Sequence, residues 1–332
     1  MHTIGKGTSD SGSLLKGEPV MKSFKNILVY VDTFATYPQT AFHKAIQIAK
    51  GNHGAITLID VVEEVPWFMN AITHKAQDIL DSTEGIRRDK LEEMAEEARN
   101  FDLPVKTLLV HGKPFVEIIR EALRDNHDLV MKTSSQPIDE GSLGGLYGQT
   151  AIRLIRKCPC PVWLVAANAP EAYKNVVVSI DPAPANESQN KLSKKLMDTA
   201  ISITCPDTGV LTTLHAWSLY AETLFSSRMT PQELRAHIET VEEQVLQMME
   251  AFMIPFKDFL PEGKVELIRG EPGFAIPDYT QKFGTDLLVM GTSGRSGIPQ
   301  FFSGHIAEMV ANEINCSLLV IKPDEFVSPI HL

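Results

Sequence analysis

The sequence predicts an α/β protein built from two tandem, open, parallel-sheet α/β sandwich domains. Three observations predict it. Short apolar runs rich in branched residues alternate with stretches of helical spacing, and such alternation builds a parallel sheet covered by helices on both faces. The same pattern occurs twice along the 332 residues, which marks an internal duplication. The length agrees, because a domain takes roughly 100–200 residues.

The first element, Asn26-Ile27-Leu28-Val29-Tyr30-Val31-Asp32, is an apolar strand ending in a carboxylate. It recurs 149 residues later as Asn175-Val176-Val177-Val178-Ser179-Ile180-Asp181. His111-Gly112-Lys113-Pro114 returns as Arg269-Gly270-Glu271-Pro272, an offset of 158, and Asp128-Leu129-Val130-Met131 returns as Asp286-Leu287-Leu288-Val289-Met290. Gly148 matches Gly304 and Cys160 matches Cys316, both offset by 156. The growth from 149 to 158 requires nine extra residues in the second copy; they are expected after Ala216, around Trp217 to Arg228. The division that follows is a mobile N-terminal extension (1–21), a first domain (22–167), a linker (168–174), a second domain (175–323) and a C-terminal tail (324–332).

Within the first copy, residues 38–50 carry Ala41, Phe42, Ala45, Ile46, Ile48 and Ala49 at helical spacing, and Gly51 stands where a terminating glycine belongs. A strand is expected at 55–61 and a long helix within 70–100, with Leu91, Met94, Ala95 and Ala98 as its apolar stripe. Strand 105–110, a helix after Pro114, strand 128–132, a helix from Gly148 and strand 161–166 complete the copy. The second copy repeats the order, and Thr230-Pro231-Gln232-Glu233 forms a capping box at the start of its long helix.

Composition narrows the function. A formal charge of −11 repels nucleic acid and anionic membranes at long range. No apolar run approaches the ~18 residues of a spanning helix, and the N-terminus lacks a signal-peptide core. The four cysteines are too few and too irregular for a secreted disulfide framework, so a reducing cytoplasm is expected. Cys158 and Cys160 flank Pro159 without a second pair or a histidine at ligand spacing, so no metal site is expected. Neither a phosphate-binding P-loop nor a G-x-S-x-G nucleophile elbow occurs, and the histidines are scattered. No catalytic residue and no required cofactor is assigned.

Binding chemistry concentrates near the C-terminus. Asp286-Leu287-Leu288-Val289-Met290 breaks into Gly291-Thr292-Ser293-Gly294-Arg295-Ser296-Gly297, and Gly304 opens the next helix. Unpaired N–H groups at a helix start attract anions, and glycine lets a ligand approach them closely. In open α/β sheets ligands bind beyond the C-terminal ends of the strands, where Asp32 and Asp181 also fall. Asp181 can accept from a ribose hydroxyl or serve as a turn residue ahead of Pro182.

Gly291-x2-Gly294-x9-Gly304, after Leu288-Val289-Met290 and before the strand Leu318-Leu319-Val320-Ile321, resembles the nucleotide-binding signature of universal stress proteins. The resemblance covers both copies. It implies two Rossmann-like domains packed as an internal pseudo-dimer, with strands Val162–Ala166 and Leu318–Lys322 near the joining surface, and leaves a higher homo-oligomer open. It further implies a nucleotide site in the second domain made of Asp181, Ala216, Met290, Gly291, Gly294, Arg295, Ser296, Gly304 and His305. The degenerate counterpart in the first domain is Asp32, Val61, Lys132 and Gly148. His305 departs from the Ser or Thr of the family's ATP-binding members, while Lys132 and Ser135 stand where the first copy should carry its first two glycines. The function implied is a non-enzymatic stress-response protein whose second domain binds ATP or another small anionic ligand. The alternatives are a scaffold with vestigial pockets, or with an apolar metabolite in them, and a slow ATPase.

Overall fold

The computed structural model of the chain describes residues 24–63, 74–134, 147–183, 185–204, 208–219, 222–259, 264–292 and 305–332. The expected N-terminal extension lies outside them. The first half runs β1 (Asn26–Tyr30), α1 (Thr40–Asn52), β2 (Ala55–Val62), α2 (His74–Arg99), β3 (Val105–His111), α3 (Pro114–Arg124), β4 (Leu129–Thr133), α4 (Gly148–Lys157) and β5 (Val162–Val165). The second half runs β6 (Asn175–Ser179), α5 (Glu187–Ile203), β7 (Val210–Trp217), α6 (Glu222–Arg228), α7 (Pro231–Met253), a 3-10 turn (Ile254–Phe259), β8 (Lys264–Arg269), α8 (Pro272–Lys282), β9 (Leu287–Gly291), α9 (His305–Glu313) and β10 (Ser317–Ile321).

All ten strands join one sheet in the order β3-β2-β1-β4-β5-β10-β9-β6-β7-β8. Every neighbouring pair is parallel except β5 and β10, which pair antiparallel through Leu164 with Leu318, Trp163 with Leu319 and Val162 with Val320. The strands expected at the joining surface therefore fuse the two halves into one sheet. Alternate residues serve opposite faces, as the pleat requires: Ile27, Val29, Trp163 and Leu319 enter one apolar core and Leu28, Leu164, Leu318 and Val320 the other. Both cores pass through the seam, which explains why the strands read as continuous apolar runs. Trp163 stacks on Tyr173 at 5.9 Å between ring centroids, Tyr173 donates to Ser317 Oγ at 3.1 Å, and the buried Tyr147 hydroxyl donates to the Cys316 carbonyl. The segment 168–174 is tied down in turn, its Glu171 carbonyl accepting from the Lys44 ammonium.

Each half closes its first strand with the same device. Asp128 accepts from the backbone N–H groups of Lys25 and Asn26 at 2.7 and 3.0 Å, and Asp286 accepts from those of Lys174 and Asn175 at 2.8 Å each. The capping box at Thr230 forms, with Glu233 accepting from the Thr230 N–H at 2.8 Å and donating its own N–H to Thr230 Oγ1.

Three expectations are corrected. Gly51 does not end α1: the helix runs two residues past the expected end at 50, to Asn52, whose amide donates to the Phe24 carbonyl at 2.8 Å, and His53 takes the left-handed position at φ 52°. The nine extra residues do not all follow Ala216. Asn26 pairs with Ala55, 29 residues on, but Asn175 pairs with Val210, 35 residues on. Six of the nine thus lie between the first two strands of the second half, where α5 is 17 residues long against 13 for α1. The remaining three follow β7. Finally, Lys132 does not stand in the place of Gly291. Tyr30 pairs with Lys132 and its repeat-mate Ser179 pairs with Met290, so Lys132 corresponds to Met290 and Thr133 to Gly291.

Candidate functional site

At the C-terminal end of the first half's strands, Thr33, Asp60 and Arg87 bond to one another. Asp60, wholly buried near the end of β2, accepts from Thr33 Oγ1 at 2.6 Å and from the Arg87 guanidinium at 2.7 Å on one oxygen, and from the Val61 N–H at 2.8 Å on the other. Arg87 reaches across from α2 with the Phe34 ring 4.5 Å from its guanidinium carbon. Lys90 lies over the same ring and donates to the Thr33 carbonyl at 2.8 Å. Asp32 turns back on its own loop, accepting from the Phe34 N–H at 3.1 Å, and Val61 is buried beside Asp60.

Lys132 is also drawn inward. It is 4% exposed, donates to the Thr133 carbonyl at 2.8 Å and sits 5.9 Å from the Tyr30 ring centroid. Burial pushes its pKa down to about 8, against a partial restoring pull from Asp32. Burial, with Asp32 and Asp60 adding to it, pushes the Tyr30 phenol far up. The unfolded chain holds the Lys132 proton up to about pH 10.4. Between the two values it binds more protons than the folded chain, so this lysine makes stability rise with pH across that window. Lys132→Met is expected to remove about 2 kcal/mol of the gain between pH 8 and pH 10, read as a flatter plot of urea midpoint against pH. A plot as steep as that of the unaltered chain would assign the rise elsewhere.

The second half places different residues at the equivalent points. His215 occupies the position of Asp60 and Ala216 that of Val61, by the strand register. His215 Nδ1 lies 2.9 Å from the Ile180 carbonyl; a carbonyl only accepts, so Nδ1 carries the hydrogen. The Asp181 carboxylate is 3.9 Å from the same nitrogen. Gln189 Nε2, from α5, donates to both the Asp181 backbone oxygen and its Oδ2 at 2.7 Å each. Asp181 is therefore held in one orientation while its side chain stays 54% exposed. A fixed, accessible carboxylate at a strand end can accept hydrogen bonds from a polyol such as a sugar.

Met290 and Gly291 end β9, Asp181 follows β6 and Ala216 lies near the end of β7, three adjacent strands. His305 opens α9 and is exposed. Gly294, Arg295, Ser296 and Gly304 lie outside the described residues. In the first half, Gly148 opens α4 with φ 70°, a conformation that favours glycine.

Gly291 has a packing reason of its own. A Cβ there would come within 2.8 Å of Leu192 Cδ2 and 3.3 Å of Leu196 Cδ1 on α5. Its counterpart Thr133 instead accepts from the Ala41 N–H at 2.9 Å and caps α1, whereas α5 is capped by its own Asn186.

Sequence reasoning missed Asp60, Thr33, Arg87 and Gln189. The signal for Asp60 was present as a lone acid inside the apolar strand Ala55–Val62, since a buried carboxylate demands partners. Among the described residues no group of three His, Cys, Asp or Glu side chains could hold a metal ion, and no helix is long and apolar enough to cross a membrane.

Comparison with known proteins decides the family: the description "Universal stress protein family" matches residues 23–166 and again 172–322. The chain belongs to the universal stress protein family. Its tandem arrangement is similar to that of universal stress protein E of Escherichia coli (strain K12), 28% identical over 322 residues and covering 94% of this chain and 98% of that protein. The universal stress protein E homolog of Haemophilus influenzae is 23% identical over 312 residues, covering 91% and 98%. Among solved structures, a functionally unknown protein from Pseudomonas aeruginosa PAO1 matches with TM-score 0.69 at 21% identity, covering 92% of this chain and 95% of that one. A universal stress protein from Archaeoglobus fulgidus DSM 4304 matches with TM-score 0.57 at 16% identity, covering 92% and 99%. These structures share the fold of this tandem universal stress protein.

Proposed function

We propose that this tandem universal stress protein is a non-enzymatic, cytoplasmic stress-response protein whose second half binds ATP or another nucleotide. One contrast carries the reading. At the strand ends of the first half the buried Asp60 is taken up by Arg87, while the equivalent end of the second half offers Asp181, oriented by Gln189 and half exposed. Asp181 accepts from the ribose hydroxyls, and the glycines Gly291, Gly294 and Gly304, with Arg295, Ser296 and His305 among them, receive the phosphates. Binding of this kind shifts the population of a surface that a partner reads, without a chemical step.

The protein is expected to release a nucleotide when denatured after gentle purification, and to bind ATP by calorimetry. Asp181→Ala should weaken that binding about tenfold or more, because a hydrogen bond to a charged acceptor is worth about 1.5–3 kcal/mol. Absence of both released nucleotide and binding heat would sink the reading.

A second reading, a scaffold with a vestigial pocket, is favoured by Gly291, whose lack of a side chain is accounted for by its packing against Leu192 and Leu196. It predicts that Gly304→Val leaves the cellular function intact.

A further inference from the structure

The motif Cys158-Pro159-Cys160 plays no part in the nucleotide reading, yet it is built into the seam. Cys158 caps the C-terminus of α4, its N–H bonded to the Leu154 carbonyl, and Cys160 leads into β5. The two sulfurs lie 3.5 Å apart. Cys158 is wholly buried, and Cys160 is partly exposed, so the pair is reached from one side.

Against them lies Lys322 from the other half, which follows β10 and is 3% exposed. Its ammonium donates to the Ile155 carbonyl and faces the Phe326 ring at 4.9 Å. It interacts electrostatically with both sulfurs and with Glu308, but Glu308 is engaged by the Arg156 guanidinium. A buried ammonium needs a counter-charge. Burial pushes the Lys322 pKa down to about 8, and the two sulfurs, with Glu308, pull it the other way.

The acidity of the pair follows this geometry. Burial pushes the Cys158 thiol up, but the hydrogen bond from Cys160 and the Lys322 charge outweigh it and bring Cys158 below the ordinary thiol range. Cys160 is held up by the same hydrogen bond and by burial. Cys316, buried with no such arrangement, is pushed up to about 12 by burial. Reactive cysteines sit in electropositive, partly accessible surroundings, and buried structural ones do not.

We infer that Cys158 and Cys160, with Lys322 beside them, form a reversible dithiol–disulfide site oxidised by hydroperoxides. One sulfur, as the thiolate, attacks a peroxide oxygen; the O–O bond breaks, and the departing alkoxide or hydroxide leaves as alcohol or water with the proton taken from that thiol. The sulfenic acid formed is then attacked by the second sulfur, an S–S bond forms, and the hydroxyl leaves as water with the second thiol's proton. Two thiols are oxidised and one peroxide is reduced. A low-molecular-weight thiol returns the pair to its starting state by exchange.

The test uses the full chain. Trypsin releases Cys158 and Cys160 in the one peptide from Cys158 to Lys174. After a brief exposure of the folded protein to hydrogen peroxide and alkylation, that peptide should be lighter by two hydrogens than the unoxidised, unalkylated form and should carry no alkyl group. Dithiothreitol should restore both thiols. The reaction should run about tenfold faster in the folded chain than in the same chain in urea, because the site raises the thiolate fraction. Lys322→Met should slow it about fivefold, and Lys322→Arg should keep most of the rate. A folded chain that reacts no faster than the unfolded one, or a peptide that gains oxygen without losing hydrogens, would overturn the proposal. If Lys322→Met fails to fold, the comparison of folded with unfolded chain decides alone.

Discussion

Replacing Arg87 by methionine should destabilise the folded chain by about 3–5 kcal/mol, the cost of leaving a buried charge without its partner. Asp60 has a side-chain exposure of 1% and shares one oxygen between Arg87 and Thr33. Without the guanidinium, that carboxylate keeps only Thr33 and the Val61 N–H as partners. The urea midpoint of Arg87→Met should therefore fall sharply, and the double variant Asp60→Asn with Arg87→Met should recover much of the loss, because the charge is then gone with its partner. The two changes are coupled, so their effects should not add. A single variant within about 1 kcal/mol of the unaltered chain would mean that water already satisfies Asp60. The outcome also bears on the proposed function, since the second half carries His215 in the place of Asp60.

Trp163→Ala should have an effect of similar size at the seam. The ring is 1% exposed, stacks on Tyr173, and its residue pairs with Leu319 of the other half. Truncating a buried tryptophan costs about 3–5 kcal/mol through lost burial and the cavity left behind. Because Tyr173 belongs to the segment between the halves, the loss should loosen that segment. Limited proteolysis should then cut within 168–174 well before the rest of the chain, and the melting temperature should drop. Cleavage spread evenly along the chain would show that the two halves are not individually cohesive once the seam is weakened.

Much of this architecture was legible in advance, for a physical reason that also explains the errors. Strands buried on both faces leave unbroken apolar runs, so the repeats of Asn26–Asp32 and Asn175–Asp181 stand out without any knowledge of contacts. Matching such runs by eye, however, follows identities. Met131 and Met290 drew the two copies one residue out of register near the glycine loop, whereas hydrogen bonding pairs Tyr30 with Lys132 and Ser179 with Met290. A single step in a strand moves every side chain to the opposite face, which is why Thr133, not Lys132, meets the helix where Gly291 does. The extra residues in α5 escaped notice because a longer amphipathic helix keeps the same periodicity. The Asp60–Arg87 pair was not legible at all: the two residues are 27 apart, and only the packing of α2 on the sheet brings them together. In the second half the positions of Asp181, Ala216 and Gly291 were readable as strand ends, while the Gln189 bond that aims the carboxylate depends on where α5 begins.

The lone antiparallel pairing at the centre of the sheet gives the molecule a direction. Because β5 and β10 run opposite ways, every strand of one half points away from the corresponding strand of the other. The strand ends near Asp60 and those near Asp181 therefore look out from opposite rims of a sheet roughly 43 Å wide, nine spacings of about 4.8 Å. Seen from outside, the two halves present unlike residues at opposite poles. Between the two poles the halves are joined at the waist by the paired strands Val162–Val165 and Ser317–Ile321.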